Sequence, residues 1–221
     1  MKSLIIATLF ALSLSACGYL HPHEKKALDQ AQGAGLVAVK KPHFDASYVL
    51  PNTNFGQYKK IILSNLDLSS TKVIKPSSVR PFEAPWELTD EDRAYYQRKY
   101  TDAAQKYVLD NGGYSAATVP AADTLLLKGK ITEIAPLASK DDFNSRPNLM
   151  DVYSRGFGRM TIALELYDSV SNKLVATATD EHELGRIWEK NNRVQNNFQI
   201  KSAFDFWMRN LKDELDALSK R

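Results

Sequence analysis

Apolar and polar residues alternate most regularly between residues 157 and 168, where Met160, Ile162, Leu164 and Leu166 interleave with Arg159, Thr161, Ala163 and Glu165. A period of two puts one set on a buried face and the other on an open face, the mark of a half-buried strand. Ser169-Val170-Ser171-Asn172 then reads as a turn, and 174–183 as the returning arm of a hairpin. A further strand is predicted over 124–134. Another is expected over 58–68, where Ile62, Leu66 and Leu68 would share a face. Two segments have helical spacing instead. Thr89-Asp90-Glu91-Asp92 opens the first, because Thr can cap free amides and acidic residues suit the positive end of a helix dipole. Tyr96, Tyr100, Ala103 and Tyr107 mark one face of it, and Asn111-Gly112-Gly113 ends it. The second helix spans about 197–218, with Ile200, Ala203, Phe204, Trp207, Leu211, Leu215 and Leu218 as its apolar stripe. The predicted order is β-α-β-β-β-α. This implies an α+β fold: a single antiparallel sheet of about four strands with two helices on one face.

The first residues have a different pattern. Lys2 precedes an apolar run, 4–12, that is far shorter than the roughly 20 residues a membrane-spanning helix needs. A charged start and a short apolar core read as a secretory signal. Leu14-Ser15-Ala16-Cys17 follows and resembles the lipobox of bacterial lipoproteins at all four positions. The resemblance implies that Leu14, Ser15 and Ala16 are read by the signal peptidase. It also implies that Cys17 receives a diacylglycerol thioether and an N-acyl chain. Cys17 is the one cysteine of the chain, so no internal disulfide competes for it. Two or more acyl chains hold a protein stably to a bilayer, whereas one is marginal. Gly18 rather than Asp follows the lipidated position; by resemblance to enteric lipoproteins this implies the outer membrane, on its periplasmic face.

The remaining chain divides into an expected flexible tether, 17–50, and one domain, 51–221. His21-Pro22-His23, Gly33-Ala34-Gly35 and Lys40-Lys41-Pro42 carry the tether reading, being rich in breakers and polar residues. An apolar content of 43% and a charged content of 25% suit an ordinary globular domain. The net charge of +3 comes without a basic block, which argues against a nucleic-acid partner.

Several pieces in order resemble a domain-of-unknown-function family of Gram-negative envelope lipoproteins. They are Phe55-Gly56-Gln57-Tyr58-Lys59-Lys60-Ile61 after Pro51, Trp86 ahead of Leu88-Thr89-Asp90-Glu91-Asp92, and Ala122-Asp123-Thr124-Leu125 leading to Ile131-Thr132-Glu133-Ile134-Ala135-Pro136. Leu166-Tyr167-Asp168-Ser169, Lys173-Leu174-Val175-Ala176, Asp180, Gly185 and the Trp207 helix complete the match. Ser171-Asn172 stands where that family commonly carries Thr-Gly; Asn also tolerates the left-handed angles of such a turn. The resemblance implies a cell-envelope lipoprotein and offers no catalytic residue.

Candidate chemistry is sparse. His21 and His23 sit two residues apart without a nearby third ligand, and His43 is also in the tether. In Glu181-His182-Glu183 the two carboxylates share a strand face and His182 takes the other, which does not make a metal cluster. Ser154-Arg155-Gly156-Phe157-Gly158 lacks the nucleophile-elbow pattern. Asp141-Asp142 is too small a group for calcium, which takes six or more oxygens. No metal, catalytic residue or cofactor is therefore assigned beyond the covalent lipid. Trp86 and Trp188 fall in irregular segments, where Trp anchors a loop or meets a partner. With Asp141, Asp142 and Arg146 from the long connection 136–156 they form the candidate partner surface. The sheet face left open by the helices is a second one. The expected function is a non-enzymatic binding or assembly module, anchored in the membrane and paired with an envelope protein. The alternatives are an accessory subunit of an envelope transport or secretion complex, and an envelope hydrolase drawing on Asp180, Glu181 and Glu183.

Overall fold

The computed structural model describes residues 20–75, 86–141 and 151–220. Helix α1 (Pro22–Gly33) is followed by strands β1 (Val37–Ala38), β2 (Ala46–Val49), β3 (Lys60–Leu63) and β4 (Lys72–Val73). Helix α2 (Asp90–Ala104) runs on as a π-helical turn, Gln105–Asp110. Strands β5 (Ser115–Ala116), β6 (Thr124–Pro136), β7 (Tyr153–Arg155), β8 (Gly158–Asp168), β9 (Leu174–Leu184) and β10 (Trp188–Lys190) lead to helix α3 (Arg193–Ser219).

Among the described residues, eight strands form one mixed sheet, ordered β1-β2-β9-β8-β6-β3-β5, with β4 also on β6. Strands β7 and β10 form a separate two-stranded ribbon. This corrects the expected single antiparallel sheet of about four strands with two helices. Strands β3 and β4 both pair with β6 in parallel, which makes the sheet mixed. Most of the unforeseen strands are two to four residues long, too short for a period of two to show. The strand expected over 58–68 ends at Leu63, and Ile61 rather than Ile62 is the residue it buries. Leu66 and Leu68 enter the core from irregular backbone.

The flexible stretch expected up to residue 50 is also corrected. Between Pro22 and Val49 the chain forms α1, β1 and β2, and β2 pairs with β9 across Ala46↔Thr179 to Val49↔Ala176. Ala27 and Ala31 are small enough to let α1 lie close to the sheet, and with Leu36 and Tyr48 they form a second, smaller core. The Gly33-Ala34-Gly35 run serves to stop this helix: Gly35 takes φ +70°, a left-handed angle that glycine adopts without strain.

The long central strands carry the main core. Met160, Ile162, Leu164 and Leu166 of β8 face α2 and α3. Strand β6 buries Leu125, Leu127 and Ile131, then shifts register between Ile131 and Glu133, so that Ile134 rather than Thr132 or Glu133 is the next buried residue. The β8–β9 turn closes with Asn172 at φ 52° and the Asp168 carboxylate accepting from the Ser171 amide at 2.8 Å. On the helical side, Tyr96 and Tyr100 of α2 meet Phe204 of α3 edge-on at 6.3 Å between centroids. Helix α1 lies on the opposite face, where Gln30 donates to Glu165 at 2.5 Å. The three helices therefore sandwich the sheet.

Candidate functional site

A cleft of about 350 Å³ opens where the first turns of α2 and α3 converge on the start of β8. Its size lies at the lower end of ordinary ligand pockets. Trp86, Tyr96, Phe157 and Ile200 supply apolar walls, while Asp92, Lys140 and Arg193 stand among the polar ones. Trp86 packs edge-on against Phe157 at 5.7 Å, and the Lys140 ammonium sits 4.6 Å from the Trp86 ring centre. Lys140 also pairs with Asp92 at 2.5 Å and donates to the Glu87 carbonyl. Burial would raise the Asp92 carboxyl, but hydrogen bonds from Lys140 and Thr89 outweigh it and hold the group below the usual carboxylate range.

Local sequence explains how these groups are placed. Thr89 and Asp92 form a reciprocal cap: the Asp92 amide donates to Thr89 Oγ1 at 3.2 Å, and the Thr89 amide to Asp92 Oδ2 at 2.9 Å. Asn192 caps α3 by accepting from the Gln195 amide at 3.0 Å. The Arg193 amide donates to Asp141 at 3.0 Å, and its guanidinium pairs with Glu91, so the two helix starts are tied together. Tyr95 donates its hydroxyl to the Asn197 carbonyl at 2.8 Å. Behind the cleft, buried Asn196 donates to Asn191 (3.2 Å), Asn191 to Ser154 (3.0 Å), and Ser154 to the Gly156 carbonyl (2.6 Å). This chain couples α3 to the β7–β10 ribbon. The indole N–H of Trp86 has no hydrogen-bond partner among the described residues, although Trp86 is only 7% exposed.

Of the residues expected to form a partner surface, the structure brings Trp86 and Asp141 together in this cleft. Trp188 lies instead on the ribbon, 72% exposed. Asp142 and Arg146 lie outside the described residues, as do Leu14, Ser15, Ala16 and Cys17. Sequence reasoning missed Lys140 and Arg193. Asp92 was legible as a capping residue, and nothing in its spacing pointed to a lysine 48 positions away.

The carboxylates considered for hydrolysis separate. Asp180 faces α3, accepting from Trp207, while Glu181 takes the other face and pairs with Arg159 at 3.2 Å. Glu183 pairs with Arg186 at 3.4 Å. His182 stacks on Phe206 at 4.5 Å, where burial lowers its pKa. His21 stacks on His23 at 5.6 Å, and His23 contacts Asp45 at 3.1 Å. Among the described residues no group of three His, Cys, Asp or Glu could hold a metal ion. No helix among them is long and apolar enough to cross a membrane.

Comparison with known proteins gives one family. A model described as a protein of unknown function, DUF3313, matches residues 31–211. No curated protein matches the sequence. Solved structures are similar as well, two of them as follows. The PelC dodecamer from Paraburkholderia phytofirmans is 11% identical, with 75% of this chain and 96% of that one covered at a TM-score of 0.37. A protein of family DUF330 from Xanthomonas campestris is 13% identical, with 74% and 87% covered at a TM-score of 0.38.

Proposed function

The chain belongs to the DUF3313 family of proteins of unknown function, and from that footing we propose that it is a non-enzymatic binding or assembly module of the bacterial cell envelope. Its place is the periplasmic face of the outer membrane, with lipid on Cys17 as the anchor. The lipobox Leu14-Ser15-Ala16-Cys17 and the following Gly18 support the address. An accessory subunit of an envelope transport or secretion complex is a special case of the same reading, with that complex as the partner.

The observation that carries the binding role is the buried Trp86 N–H, without a partner among the described residues, on a ring that lines the cleft. A buried donor without an acceptor costs about 1–3 kcal/mol. A partner carbonyl or hydroxyl inserted between α2 and α3 would remove that cost, and the surrounding Lys140, Asp92 and Asn197 groups would orient it. Charged lining residues are balanced, Arg98, Lys140 and Arg193 against Glu91, Asp92 and Asp141, which suits a neutral polar segment better than an ion.

The test uses the full chain in intact cells. A photocrosslinking residue in place of Arg98, on the cleft rim, is expected to capture one dominant envelope component. The same probe at Val170, on the exposed β8–β9 turn, is expected not to. Equal labelling from both positions, or none from position 98, would overturn the cleft as the binding site. Labelled palmitate should enter the wild-type protein and be lost in Cys17→Ala; an unlabelled wild type would overturn the anchor.

A further inference from the structure

The geometry points to a membrane-facing surface: Trp188, Tyr153 and Phe198 rest in the headgroup region of the same phospholipid bilayer that holds the lipid on Cys17. This rests on the lipid anchor proposed above.

Only residues 18–21 separate Cys17 from the start of α1 at Pro22. Five steps of extended chain span at most about 18 Å. The domain therefore cannot stand far off the bilayer, and the surface near Pro22 must lie close to it.

At the start of α1, His23 contacts Asp45 at 3.1 Å, and Asp45 accepts from the Glu181 amide at 2.8 Å. Further along α1, Gln30 reaches Glu165, which is paired with Thr177. Helix α1 thus points its N-terminus toward the end of the sheet where β9 finishes, β8 begins at Gly158 and β6 finishes at Pro136. The ribbon leaves from that same end. Seven residues, at most about 25 Å of chain, lead from Glu181 to Trp188.

This end of the molecule displays open aromatic rings. Trp188 is 72% exposed, Phe198 64% and Tyr153 53%. No other aromatic residue among the described ones is as open to solvent, and all three lie on the ribbon or the first turns of α3. Ile187, beside Trp188, is equally open. The opposite end exposes Val119 and Val170, which lack the ring and polar tip that favour a membrane interface. Trp188 is paired with Arg155 and Tyr153 with Lys190, so these four side chains emerge on one face of the ribbon. Arg155 and nearby Lys75 make no ion pair among the described residues, leaving two cations beside the rings for lipid phosphates.

The test is lipidated full-length protein reconstituted in vesicles of phosphatidylethanolamine and phosphatidylglycerol, with and without bromine on the acyl chains near the headgroups. Trp86 and Trp207 are buried, so Trp188 dominates any contact quenching. Brominated vesicles are expected to quench wild-type emission, and Trp188→Phe is expected to lose that quenching while its circular dichroism is unchanged. Lipidated protein that is not quenched, or that is quenched equally after Trp188→Phe, would overturn this surface and leave the anchor standing. Wild-type protein that carries no lipid would overturn both.

Discussion

The indole N–H of Trp207 donates to Asp180 Oδ2 at 2.8 Å, joining α3 to β9 inside the core. The second oxygen of Asp180 accepts from the Asp45 amide at 3.1 Å, which ties in the segment leading to β2. One carboxyl group therefore pins three elements. Burial pushes it up to about 6, against the opposing pull of the Trp207 hydrogen bond; the Asp45 carboxylate adds to the rise.

A carboxyl raised from 3.8 to about 6 on folding stabilises the protein below pH 4, and that stability is lost as pH rises through 6. His182, lowered by burial, works in the opposite sense near the upper part of this window. The informative quantity is therefore the difference between wild type and Asp180→Asn. The variant should gain relative stability between pH 4 and pH 7, by on the order of 3 kcal/mol. Urea unfolding at pH 4, 5.5 and 7 checks this; a difference that does not change with pH would refute it.

Gly129 is the gap in β6 that Tyr100 fills. A Cβ at Gly129 would lie 2.7 Å from Tyr100 Cε2, and Tyr100 is fully buried. Gly129→Ala should destabilise by about 1–3 kcal/mol. Combining it with Tyr100→Leu should restore part of that loss, measured as a double-mutant cycle. Tyr100→Phe alone should be neutral or slightly stabilising, because the hydroxyl has no partner among the described residues.

Lys140 and Asp92 hold the cleft between two elements distant in sequence. Replacing Lys140 by Met removes the main partner of the Asp92 carboxyl, so its pKa should rise toward or above the ordinary value. A stability loss of about 1 kcal/mol should accompany this, since the pair is partly exposed. Carbon-detected NMR titration of Asp92 gives the first quantity and chemical denaturation the second. An unmoved Asp92 would show that Thr89 alone holds it.

The tryptophans separate by consequence. Trp207→Ala should cost about 3–5 kcal/mol, from the loss of a fully buried ring and of the Asp180 donor. Trp188→Ser, at a ring that packs on little, should stay within about 0.5 kcal/mol of wild type in detergent solution. Thermal unfolding of both variants measures the contrast.

Much of the local architecture could be read from residue order because it depends on neighbours along the chain. The alternation in 158–168, the Asn172 turn and the Thr89 cap all follow from contacts within a few residues. The apolar stripe of α3 likewise lies on one face, as Ile200, Phe204, Trp207, Leu211 and Leu215 are all buried. The aromatic stripe of α2 was legible in the same way, and Tyr96, Tyr100 and Ala103 are core residues.

The sheet beyond those strands depended on pairing between distant segments. Two-residue strands such as β1, β4 and β5 have no period of their own; partners such as Tyr48, Glu133 and Lys60 define them. The same holds for α1, whose breaker-rich flanks resemble a linker until Ala27 and Ala31 meet Tyr48. The cleft joins Trp86 to Lys140 and Asp92 to Arg193's neighbourhood, contacts no spacing rule reaches. What residue order established about this protein is its central strands and its two longer helices, because short-range sterics and periodic burial specify them. Which segments pair, which tryptophan is sheltered and where the cleft opens were settled in three dimensions, because those outcomes depend on the packing of surfaces that the chain brings together only on folding.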